Sequence, residues 1–282
     1  MSRRARQRAR KVACRCLAPS HPSPPLPSFF FSLSPAGQCG SCWAFSTTGA
    51  LEGAAFISTG SLPSLSEQEL VDCSGSAGNQ GCNGGLMDSA FKWIESNGIC
   101  SEASYPYTAA DGKCKKCTAV ASVKSYTDVT VNSEPDLVNA IVQQPVAVAV
   151  EADQNSFQLC AWKNIMEGAA GRCTRARANP VTFSPPTIPL LADSGGVMTA
   201  ACGANLDHGV LAVGYGTDSA SGNEFWKVKN SWGADWGMAG YILLGKGKTY
   251  NGGAGQCGIL SAASWPTYAA PAASKYTLNL KH

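Results

Sequence analysis

The chain has 282 residues, 44% hydrophobic and 15% charged, which is enough to bury a core and too apolar for a disordered chain. No run approaches the roughly 18–20 apolar residues of a membrane span, and 13 cysteines exceed ordinary cytosolic use without reaching a disulfide miniprotein. The formal charge of +3 is uneven: residues 1–36 carry +7, residues 160–193 carry +2, and the remainder is acidic at −6, which argues against nucleic-acid binding.

Residues 1–36 begin with an acid-free run of Arg3, Arg4, Arg6, Arg8, Arg10, Lys11 and Arg15. A basic arm or a transit peptide would look like this. A secretory signal would not, because Val12–Leu17 is short and broken by an arginine. A third explanation covers more of the sequence. Residues 22–35 and 185–191 are codable as pyrimidine-rich tracts, each followed by residues (Ala36-Gly37, Ala192-Asp193) that can encode an intron acceptor. The hypothesis is that 1–36 and 160–193 are intron read-through; a cDNA retaining codons 161–192 would sink it. As a real loop, 160–193 is long for a compact domain.

Between these segments the patterns are regular. Trp43 to Ile57 follows Cys42 with apolar residues on most turns, as in a buried helix. Ser66-Glu67-Gln68-Glu69 reads as a capping box opening a second helix, and Gly85 to Ser96 as a third. From Asp128 onward β-branched runs take over, at Val146–Val150, Gly209–Val213 and Tyr241–Leu244. The expected organisation is a non-family leader at 1–36, a helix-rich lobe at 37–127, and a β-rich lobe at 128–264 interrupted by 160–193. A C-terminal segment and tail follow at 265–282.

Setting aside the two odd segments leaves nine cysteines: Cys39, Cys42, Cys73, Cys82, Cys100, Cys114, Cys117, Cys202 and Cys257. Nine is four pairs and a single, and Cys42, in Gln38-Cys39-Gly40-Ser41-Cys42-Trp43, is the natural single. A buried or paired thiol and a metal or redox CxxC are its alternatives. Of three histidines, His21 lies in the leader and His282 is terminal, so His208 remains as the base. It lies 166 residues beyond Cys42, or 133 without a 33-residue insert.

Five motifs in order resemble the papain-like cysteine peptidases, cathepsin L-type: Gly37–Phe45, Gly81-Cys82-Asn83-Gly84-Gly85, Tyr105-Pro106-Tyr107, Leu206–Val210 and Lys229–Gly233. The resemblance implies an α+β, two-lobe fold, with a helical left lobe, a β-barrel right lobe and the active-site cleft between them. It implies a cysteine endopeptidase working through a thioacyl-enzyme. Cys42 is then the nucleophile, its thiolate favoured by a helix N-terminus and a nearby imidazolium. His208 is the general base and acid; a structural ion pair with Asp207 is the lesser alternative. Asn230 orients the imidazole, and Gln38 with the Cys42 amide forms the oxyanion hole. Trp232, otherwise a core tryptophan, shields the Asn–His bond.

By the same resemblance Gly84, Gly85, Leu86, Met87, Ala149, Leu206, Asp207, Gly209, Trp232 and Ala262 contact substrate. The pocket for the second residue before the cut (P2) is apolar and so prefers Leu or Phe. Disulfides Cys39–Cys82, Cys73–Cys114 and Cys202–Cys257 follow from it, and the two remaining cysteines, Cys100 and Cys117, are paired as a fourth. No cofactor or metal is expected. The expected partners are protein and peptide substrates and cystatin-like inhibitors, for a monomer that is lysosomal, vacuolar or secreted. The alternative is a truncated or mis-spliced, catalytically dead product, or a peptide-binding pseudoenzyme.

Overall fold

A computed structural model describes residues 39–154, 156–158, 196–247 and 249–271. The leader and the 160–193 insert lie outside them, as do Gln38 and the tail from residue 272.

Helix α1, Cys42–Thr59, is buried on nearly every side as far as Ala55, and its last turn is exposed. Its small residues are what permit this. Ser46 Oγ donates to the Val210 carbonyl at 2.7 Å, and a Cβ on Gly49 would come within 2.9 Å of Leu211. Gly60, at φ 74°, ends the helix in a left-handed cap. Helix α2, Glu67–Cys73, is capped by Ser66, whose Oγ accepts from the Glu69 amide at 3.0 Å. The capping box is only half formed, because the Glu69 carboxylate turns to the Cys100 amide at 2.7 Å. Helix α3, Met87–Asn97, buries Met87, Ala90, Phe91 and Ile94, one face at helical spacing.

Strands β1, Ile99–Cys100, and β2, Ala119–Asp128, come next, followed by helix α4, Glu134–Gln143, capped by Ser133. Then come β3, Val146–Val150, β4, His208–Thr217, β5, Glu224–Lys229, β6, Tyr241–Gly245, and β7, Ala263–Ala269. All named pairings are antiparallel, in the order β1-β2-β7-β3-β4-β5-β6. Two features differ from the sequence expectation. Strand structure begins before Asp128, with the short β1 at Ile99–Cys100 and then with β2 from Ala119, hidden in a run of small and polar residues. The segment after Pro266 is no loose tail at first, because residues through Ala269 pair with β2.

Two cores result. One is helical, built on Trp43, Leu51, Leu65, Phe91 and Ile94; the other lies within the sheet, around Val148, Phe157, Met198, Trp226 and Leu244. Strand β3 serves both. Val146, Val148 and Val150 enter the sheet core, while Ala147 and Ala149 face the helical one, as the two-residue period of a strand requires. The structure carries the disulfides Cys39–Cys82, Cys73–Cys114, Cys100–Cys117 and Cys202–Cys257.

Candidate active site

Cys42 is the first residue of α1 and is buried. The unpaired amides of a helix N-terminus favour negative charge on such a sulfur, and no acidic side chain in the first turn opposes this. Strand β4 starts at His208 directly beside it, with the Gly209 amide donating to Cys42 Sγ at 3.2 Å. The approach depends on glycine. A Cβ at position 209 would lie 3.1 Å from Trp43 Cα and 3.3 Å from the Cys42 carbonyl carbon.

His208 and Asn230 come from neighbouring strands, Asn230 immediately after the end of β5. Their side chains meet at 2.7 Å, Nε2 to Oδ1, and both residues are buried. The Asn230 Oδ1 also accepts the Ser231 amide at 2.8 Å, which fixes the amide flip. An oxygen facing Nε2 makes that nitrogen the N–H donor and leaves Nδ1 as the acceptor. Burial pushes the His208 pKa down to about 4, outweighing the upward pull of the Asn230 bond. Trp232 covers the ring, 4.8 Å between centroids and tilted 33°, and Phe157 and Trp236 pack around Trp232.

Eight of the nine described cysteines pair among themselves, in Cys39–Cys82, Cys73–Cys114, Cys100–Cys117 and Cys202–Cys257.

Of the residues expected to contact substrate, Met87, Ala149, Leu206 and Ala262 gather in or against the helical core, and the Ala149 amide donates to the Ala262 carbonyl at 2.9 Å. Leu86 lies exposed at its edge. Gly84 and Gly85 form a buried turn, and a Cβ on Gly85 would sit 2.6 Å from the Trp43 ring. Asn79 braces that turn by accepting the Leu86 amide at 2.9 Å, a role that no local pattern signals. Asp207 makes no described ion pair with His208. Its carboxylate accepts the Ala152 amide at 2.7 Å, and burial raises its pKa.

Residues 32–182 and 180–267 match the papain family of cysteine proteases. The chain belongs to that family. Among its relatives are cysteine protease 1 of Oryza sativa, 46% identical over 239 residues, and the probable cysteine protease RD21B of Arabidopsis thaliana, 47% identical over 234 residues. These matches take in 83% and 82% of this chain but 42% of each relative. The chain thus spans less than half the length of these two relatives. Among solved structures, bromelain of Ananas comosus in complex with the E64 inhibitor is 37% identical with a TM-score of 0.64, covering 81% of this chain and 89% of that one. The proform of the ragweed allergen Amb a 11 matches at 37% and 0.65, covering 82% of this chain and 60% of that one. The fold is the two-lobe α+β fold of this family.

Proposed function

We propose that the protein is a cysteine endopeptidase, with Cys42 as nucleophile, His208 as acid and base, and Asn230 as the residue that orients the imidazole. The observation that carries this reading is the juxtaposition of the 2.7 Å His208–Asn230 bond with the Gly209 amide on Cys42 Sγ at the head of α1. His208 takes the proton of the Cys42 thiol and the thiolate attacks the peptide carbonyl carbon. A thiolate beside the ring would favour the imidazolium and oppose the effect of burial. The C–S bond forms as the carbonyl pair moves to oxygen, where the Cys42 amide donates to it. The other donor expected, Gln38, lies outside the described residues.

His208 then protonates the leaving nitrogen, the C–N bond breaks, and a thioester remains. Water attacks it, His208 taking the water's proton and returning it to sulfur as the acid leaves. The apolar grouping of Met87, Ala149, Leu206 and Ala262 supports a preference for bulky apolar residues at P2. Four disulfides suit an oxidising compartment, lysosomal, vacuolar or secreted. The deciding test is peptide hydrolysis by the full chain under mild thiol reduction, with Cys42→Ala as control. Hydrolysis that persists in Cys42→Ala would overturn the assignment.

A further inference from the structure

Tyr105-Pro106-Tyr107 is the one family-like motif without a part in the catalytic reading. Its second tyrosine reaches the head of α1. The Tyr107 hydroxyl hydrogen-bonds Ser41 Oγ, its ring packs edge-on against Phe45 at 4.9 Å, and its amide donates to Glu102 at 2.8 Å. Ser41 is fully buried, is the N-cap of α1, and immediately precedes Cys42.

An N-cap serine ordinarily takes an extended backbone, and its oxygen accepts an amide of the first turn. Two serines in this protein do so. Ser66 (φ −87°, ψ 110°) and Ser133 (φ −104°, ψ 99°) each accept the amide three residues on. Ser41 does not: it has φ −95° and ψ 14°, and its side chain makes no cap bond. The difference in ψ is about a quarter turn, and ψ of Ser41 sets the plane of the peptide joining it to Cys42, hence the direction of the Cys42 N–H. A capping hydroxyl would also place an oxygen lone pair in the positive field that a thiolate or an oxyanion would use.

We infer that Tyr107 is a positioning residue for the oxyanion site: by holding the Ser41 hydroxyl it keeps α1 uncapped and the Cys42 amide in its working direction. This rests on the peptidase reading above. Released from Tyr107, the buried Ser41 hydroxyl would need a new partner, and the helix amides are the nearest kind that N-cap serines use.

The test is Tyr107→Phe, and Ser41→Ala in that background, in the full chain under mild reduction, with active sites counted by a thiol-alkylating reagent. Tyr107→Phe should lower kcat per titrated site about tenfold with KM within about twofold, since the lost interaction acts on the oxyanion. The pH midpoint for alkylation of Cys42 should rise by about half a unit as the helix field is capped. The double variant should recover most of kcat and return the midpoint, because alanine cannot cap. A bond that only stabilises the fold predicts no change in kcat per site well below Tm, and no recovery in the double variant. Either result overturns the inference. If the unmodified chain hydrolyses no peptide, the peptidase reading fails first and takes this one with it.

Discussion

Asn230 Oδ1 serves His208 and the Ser231 amide at once, so its loss frees the imidazole to turn without removing a reacting atom. Asn230→Ala should therefore lower kcat/KM about 100-fold and leave measurable turnover, whereas Cys42→Ala should abolish both turnover and reaction with thiol-directed epoxides. Equal losses in steady-state assays would contradict this division of roles. Glu67 is a second residue with a measurable signature. Burial, with Glu52 and Glu102 nearby, pushes its pKa up to about 8 against the bond from Thr48. The folded chain keeps a proton that the unfolded chain releases near 4.5, so this stabilisation is complete below 4.5 and is lost as pH rises through 8. His208 acts oppositely: its lowered pKa gives stability that is lost as pH falls from 6.5 towards about 4. Above 6.5 the Glu67 effect stands without the His208 one. Tm should fall between about pH 6.5 and 8.5, and Glu67→Gln should flatten that fall. An unchanged slope in Glu67→Gln would assign the effect elsewhere.

The contact between α1 and β4 is where packing and chemistry meet. Gly209→Ala would drive a Cβ against the backbone of Trp43, which has little room to yield. It should cost about 1–3 kcal/mol in denaturant titration and lower kcat/KM at least tenfold by moving His208. A neutral substitution would mean that the two elements slide more easily than their spacing suggests. For the apolar grouping around Ala149 and Ala262, Leu or Phe at P2 should be cleaved at least about tenfold better than Arg by kcat/KM, since burying either gains about 1.5–3 kcal/mol and a buried guanidinium finds no carboxylate there. Ala262→Glu should narrow that gap, and equal rates in the unmodified protein would remove the pocket assignment. Much of this was legible from residues alone. His208 stood out because the other two histidines lie in the leader and at the terminus, and α1 because its apolar residues recur on most turns. Strand β2 was not, because Ala119–Val123 is a run of small residues whose pairing partners, β1 and β7, lie elsewhere in the chain. Nor was the Ser41–Tyr107 bond, which joins residues 66 apart through a fold no local pattern encodes.

At the scale of the molecule, the sheet expected of the right lobe and the helices expected of the left are both present, joined through β3. That strand is buried along all five residues, three toward one core and two toward the other. It is a party wall. Neither room can be emptied while the wall stands, and removing the wall opens both. The lobes should therefore melt together, in a single calorimetric transition whose van't Hoff and calorimetric enthalpies agree. A cavity cut on either face, such as Val148→Ala, should lower that one transition rather than split it.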